Sequence, residues 1–201
     1  MALKSALLAT LLCFAAGPAS MADTLHAIAD GAFQHHGSSW IFPQQIGGFV
    51  RIGAPQDVDG TIDVVAHYAK VDGSMRTTAV VSVYPPESAA AETTLASAKA
   101  AIESILKQAK QGAARSEAPF KVGKQPELVG VKASYKADAA VGSLANLYFF
   151  DTGAWIVKIR GGTEKADNNS DALLDDFVRG QRWESLELTN ESCTGTACKV
   201  K

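Results

Sequence analysis

The sequence predicts an α+β fold: an antiparallel β-sheet of about six to seven strands packed with a long central helix and a C-terminal helix. Three observations predict it. Ile62, Val64, Ala66 and Tyr68 alternate with Asp63 and His67, the period of two expected of a half-buried strand. Between Ala91 and Ala109 the apolar residues recur at spacings of three and four, the period of a helix. The order strands, helix, strands, helix, with Gly-, Pro- and Asp-containing turns between strands, puts helices on an antiparallel sheet.

In chain order, residues 1–22 read as a cleavable signal peptide. Lys4 supplies the charged start, Ala6 to Ala16 the apolar centre, and Ala19-Ser-Met-Ala22 the small-residue cleavage site, which places the cut between Ala22 and Asp23. The apolar run is about eleven residues, well short of the roughly 20 that a bilayer-spanning helix needs, so no membrane span is expected after cleavage. Leu12 precedes Cys13 where a lipidation signal carries a small residue, so lipidation is not expected. The expected location is periplasmic or secreted.

Residues 23–39 read as an irregular N-terminal segment, with His35-His-Gly-Ser-Ser39 as a loop. A single α+β domain over 40–188 follows. It opens with the apolar knot Trp40-Ile-Phe-Pro43, expected at the edge of the core and exposed enough to serve in binding. Phe49–Ile52 then reads as a strand ending at Pro55. The strand around Val64 turns at Asp72-Gly73 into Thr77–Tyr84, which is apolar on both faces and therefore central, and Pro85-Pro86 ends it.

The long helix is expected from Ser88 or Glu87 to about Gln111, stopped by Gly112. Ala91, Leu95, Ala98, Ile102, Ile105, Leu106 and Ala109 line its apolar face, and Glu103 with Lys107 makes a favourable i, i+4 pair. A polar loop leads to strands at Phe120–Val122, Leu128–Lys136, Ser143–Phe150 and Ala154–Arg160, the last two joined by the tight turn Asp151-Thr-Gly153. The final helix starts at Asn169-Ser170 and buries Leu173, Leu174, Phe177 and Val178. Its early Asp171, Asp175 and Asp176 and late Arg179 and Arg182 complement the helix dipole.

Residues 189–201 form a C-terminal tail. Removing the leader takes away Cys13 and leaves Cys193 and Cys198, an even number in an oxidising compartment with Gly195 between them, so a Cys193–Cys198 disulfide is expected.

Three phrases together, Phe42-Pro-Gln-Gln-Ile-Gly-Gly-Phe49, Thr78-Ala-Val-Val-Ser-Val-Tyr-Pro85 and Trp155-Ile-Val-Lys-Ile-Arg160, with a helix after the Tyr-Pro strand and another at the end, resemble the uncharacterised exported bacterial proteins of the PsbP-like fold group. The resemblance spans roughly residues 40–186 and lies in element order more than in motif. It implies an antiparallel sheet between helices and a role in binding or assembly. The photosynthetic members bind a membrane complex and its ions, and Ran-binding relatives bind a GTPase, but none of their functional residues maps onto a position here.

Composition narrows the function further. The net charge is −2 at pH 7 with both signs interspersed, and Lys4 is the sole charge in the leader, so nucleic acid is not an expected partner. His26, His35, His36 and His67 match no closed metal-ligand set. Ser38, Ser39 and Ser143 lack a nucleophile elbow, Gly161-Gly-Thr163 lacks a phosphate-loop pattern, and Asp171, Asp175 and Asp176 lie in a helix rather than a calcium loop. Asn168 and Asn190 are formal glycosylation acceptors, relevant only in a eukaryotic pathway.

The expectation is thus an exported, non-enzymatic binding or assembly protein of the bacterial envelope. Its partner is expected to be another envelope or extracellular protein, with no catalytic residue, metal or cofactor. The alternatives are a hydrolase with an unrecognised site near His67, or a small-ligand or metal carrier using His35 and His36.

Overall fold

A computed structural model describes residues 24–57, 63–86, 94–108, 113–123, 127–137, 144–163, 169–186, 193–194 and 197–198. Strands begin almost at once. β1 (Leu25–Ala27), β2 (Phe33–His35) and β3 (Ile41–Phe42) pair antiparallel in a three-stranded sheet, where the sequence suggested an irregular segment. Elements of two or three residues are too short to show an alternating pattern, so the sequence carried no periodic signal for them.

The chain continues through β4 (Gln45–Ile46), β5 (Phe49–Arg51), β6 (Gln56–Asp57), β7 (Val64–Asp72) and β8 (Met75–Tyr84). Helix α1 (Leu95–Gln108) leads to β9 (Ala113–Val122), β10 (Glu127–Ala137), β11 (Leu144–Asp151) and β12 (Ile156–Thr163). Helix α2 (Ser170–Arg179) and the short β13 (Cys193–Thr194) and β14 (Ala197–Cys198) complete the described elements. Eleven strands form the second sheet. Its backbone is the order β9, β10, β11, β12, β8, β7, then β5 and β6 along the far edge of β7, and β4 beyond β5. All of these pairs are antiparallel. β14 alone runs parallel, joining β10 at Glu127 and Leu128.

The expected α+β arrangement of six to seven strands around a long central helix is therefore corrected. The protein is mostly β-sheet, its helices are short at 14 and 10 residues, and no long central helix is present among the described residues. One cause is β9. Residues 113–119, read as polar loop, are paired residue by residue with β10 from Ala137 back to Val131. Their Ala-Ala-Arg-Ser-Glu-Ala-Pro sequence has no apolar alternation because β9 pairs only with β10 among the described residues, leaving it an edge strand. Charges and a proline such as Pro119 are tolerated there. β12 departs in another way. Lys158, a charged residue within the strand, is only 5% exposed, since β12 lies between β11 and β8 and both its faces are covered.

The register puts two cores on opposite faces of the sheet. On one, Phe49, Tyr68, Val81, Val83, Tyr148, Phe150, Val157 and Ile159 meet Leu174, Phe177 and Val178 of α2, all three fully buried. Burying each of these α2 side chains contributes about 1.5–3 kcal/mol. The fit is close: a Cβ on Gly161 of β12 would stand 2.4 Å from Leu174 Cδ2. Trp40 and Phe42, expected to be exposed, are instead fully buried in this core, with Trp40 against Trp183 at 5.0 Å between ring centroids. On the other face Ala98 and Ile102 of α1 pack with Ala133, Tyr135, Leu147, Phe149, Ile156 and Tyr84.

Arg51 ties the small sheet to the large one. Its guanidinium donates to Gly31 O at 2.7 Å, Gln44 Oε1 at 2.9 Å, Gly53 O at 3.0 Å and Phe42 O, and it lies 4.8 Å from the Phe33 ring centroid. The side chain is therefore sequestered among oxygen acceptors and an aromatic face, a task suited to the forked donors of arginine.

Candidate ligand pocket

Helix α1 begins at a defined point. Thr94 and Ser97 satisfy each other's backbone: Ser97 N–H donates to Thr94 Oγ1 and Thr94 N–H to Ser97 Oγ, both at 3.1 Å, a reciprocal cap. From there the helix presents Ala98 and Ile102 to the sheet, but its first turn offers only Leu95 and Thr94. The sheet below that turn is incompletely covered, and a cavity of about 630 Å³ opens there among the described residues.

Cross-strand register builds its walls. Pro119, Val131 and Phe149 stand side by side on β9, β10 and β11, and Asp151 and Ile156 form the next rung between β11 and β12. Val129, the backbone of Gly130, and Pro86 after β8 complete the lining. The volume falls within the range of small-molecule sites, roughly 300–1,000 Å³, and the walls are mainly apolar, as such sites are.

Asp151 is the charged residue among those lining the pocket. It is held by the hairpin it was expected to form: its Oδ1 accepts the Gly153 N–H at 2.9 Å, while Thr152 N–H and Oγ1 donate to Trp155 O at 2.9 and 2.8 Å. Oδ2 of Asp151 makes no hydrogen bond or ion pair among the described residues. Sequence reading missed the pocket because its residues come from six separate stretches of chain. The one available signal is Asp151, whose sequence context, Asp-Thr-Gly, is that of a turn.

A second polar constellation ties α2 to the sheet. Lys132 Nζ bridges Asp175 Oδ1 at 2.6 Å and Asp171 Oδ1 at 2.8 Å. Tyr148 donates its hydroxyl to Asp175 Oδ1 at 2.6 Å, and Asn146 Nδ2 donates to Asp171 Oδ1 at 2.7 Å and to Tyr148 Oη at 3.2 Å. Burial, reinforced by the bond to Asp175, holds the Tyr148 phenol well above the ordinary tyrosine value. Tyr148 and Asn146 are fully buried, so this network works as a lock between helix and sheet. The helix-start acids expected to serve the dipole thus take a direct partner as well.

The other sequence candidates are dispersed. His35 and Ser38, set aside as loop residues, meet at 2.7 Å between Nδ1 and Oγ, but both are fully buried, and Ser38 Oγ also accepts the Trp40 N–H at 3.2 Å. Trp155 lies over the turn, where a Cβ on Gly37 would stand 2.9 Å from its ring. The arrangement is a packed turn with no open nucleophile, and it leaves no paired His35–His36 metal site: His35 faces Trp155 while His36 is exposed and meets the His26 ring at 5.6 Å. His67 is exposed on β7. No group of three or more His, Cys, Asp or Glu side chains is placed to hold a metal ion among the described residues.

Gly161-Gly-Thr163 lies within β12 rather than in a loop. Asp176 is exposed on α2. Cys193 and Cys198 stand directly opposite each other in the β13–β14 pair. Cα atoms so paired are about 4.5–5.5 Å apart, inside the range a disulfide spans. Ser143, Asn168 and Asn190 fall outside the described residues.

No helix among the described residues is long and apolar enough to cross a membrane. No protein-family model matches the chain, and no curated protein matches it.

Proposed function

We propose that this chain is an exported, non-enzymatic binding protein of the bacterial envelope whose ligand is a small apolar molecule held between α1 and the sheet. The observation that carries the reading is the cavity of about 630 Å³ lined by Leu95, Pro119, Val129, Val131, Phe149 and Ile156. Apolar surface left open at this size is a favourable place for an apolar ligand, with about 25 cal/mol gained per Å² removed from water. The signal-peptide pattern of residues 1–22 supports export, and the opposed Cys193 and Cys198 suit a disulfide formed in an oxidising compartment. The PsbP-like resemblance, with its bias toward binding and assembly, belongs to the same proposal.

Fluorescence of N-phenyl-1-naphthylamine, a neutral apolar probe, tests it. The purified protein is expected to enhance and blue-shift the emission with saturation at one probe per chain. Val131→Trp and, separately, Leu95→Trp fill the cavity and are expected to weaken binding at least tenfold while thermal unfolding stays cooperative. No saturable enhancement, or equal affinity in both folded variants, would overturn the reading.

A further inference from the structure

Resting on the pocket reading above, we infer that the ligand is a cationic amphiphile: an apolar body that fills the cavity and a protonated amine that pairs with Asp151. The argument starts from the state of that carboxylate. One oxygen is committed to the Gly153 N–H at 2.9 Å, and the other, on a residue that lines the cavity, has no partner among the described residues. An apolar ligand entering the pocket strips water from it. A carboxylate desolvated without a partner is costly, and a cationic donor offsets that cost more fully than a neutral hydroxyl, because it adds the attraction of opposite charges in a low-dielectric site to the hydrogen bond.

Among the described residues, three lysines on elements that line the pocket are engaged elsewhere. Lys121 pairs with Glu127 at 2.7 Å and Lys99 with Glu117 at 3.0 Å. Lys158, across from Phe149, directs its ammonium over the Tyr84 ring at 5.4 Å from the centroid. The free charge among the described lining residues is therefore the carboxylate of Asp151. A fatty carboxylate of the same length would bring like charge to Asp151 and is disfavoured, which separates this site from an anionic-lipid site of equal volume.

Displacement of N-phenyl-1-naphthylamine by decylamine, decanol and decanoate, at pH 7.5 and below micelle formation, tests the inference on the intact protein and on Asp151→Asn. Asparagine keeps an oxygen for the Gly153 N–H, so the hairpin is retained. Decylamine is expected to bind at least tenfold tighter than decanol, with decanoate weakest, and the amine preference is expected to shrink with added salt. In Asp151→Asn decylamine is expected to fall to the level of decanol while decanol itself is unchanged. Decylamine no tighter than decanol, or a preference that survives in Asp151→Asn, overturns the inference and leaves the pocket reading standing. If none of the three displaces the probe, the inference falls, and the pocket reading stands or falls on the probe's own binding.

Discussion

Tyr148 donates its hydroxyl to Asp175 at 2.6 Å, so the middle of α2 is bonded to the centre of β11 through a phenol with no exposed surface. The same carboxylate receives Lys132 at 2.6 Å, and one acid thereby fixes the helix over two strands. Removing it leaves a largely buried ammonium with Asp171 as its carboxylate partner and takes the acceptor from a buried hydroxyl. Asp175→Ala is expected to lose about 3 kcal/mol of stability in urea unfolding. Tyr148→Phe, which removes one charge-assisted bond and leaves the ion pair, is expected to lose about 1.5–3 kcal/mol. A change below about 0.5 kcal/mol in both would show that α2 is held by packing alone.

Alkaline pH should test the same burial from another side. Tyr68 and Tyr148 both have phenols raised above the usual value by burial, opposed for Tyr68 by Arg51 and reinforced for Tyr148 by Asp175. Below the ordinary tyrosine pKa near 10 the folded and unfolded chains both keep these protons, and pH has no effect through them. Above it the unfolded chain releases protons that the folded chain retains, so stability falls as pH rises. Ultraviolet titration is expected to show at least two of the four tyrosines ionising only as the protein unfolds. Four phenols titrating freely in the folded state would contradict the buried placement.

Arg51 has a distinct expected signature. Arg51→Lys keeps the charge but not the fork that reaches Gly31, Phe42 and Gln44 together. It is expected to lose about 2 kcal/mol and to speed amide exchange across β1 to β4, with β8 and β12 changing least. Uniform acceleration across both sheets would mean that the small sheet is not separately tethered.

Export and the tail are checked by intact mass. Protein recovered from the envelope or medium is expected to begin at Asp23, to lack two hydrogens and to take up no alkylating agent until reduced, the result a Cys193–Cys198 disulfide would give. A retained leader, or two alkylated thiols before reduction, would remove the compartment from the proposal.

The elements legible in the sequence were those whose pattern their burial enforces. Val64, Ala66 and Tyr68 alternate because β7 buries one face, and Ala79, Val80, Val81 and Val83 place apolar residues on both faces because β8 lies inside the sheet. In edge strand β9 the stretch from Ser116 to Pro119 is exposed and burial begins only at Phe120, so no alternating stripe announces its first part, and this is where the helix-rich expectation failed. The pocket was illegible for a related reason: Leu95, Val131, Phe149 and Ile156 are ordinary core residues in sequence, and only register brings them around a space. Asp151 was visible, but as a turn former, since the same carboxylate serves both turn and cavity.

The central claim, that the cavity beside α1 and not another apolar surface takes the ligand, is tested most directly by heteronuclear NMR with N-phenyl-1-naphthylamine. Val50, Ile52 and Val71 provide the internal comparison, being the large exposed apolar side chains at 47%, 51% and 70% exposure and lying away from the pocket on β5, β7 and the link after β5. Saturable shifts concentrated at Leu95, Val131, Phe149 and Ile156 are the result expected. Shifts confined to Val50, Ile52 and Val71, or scattered without saturation, would contradict it.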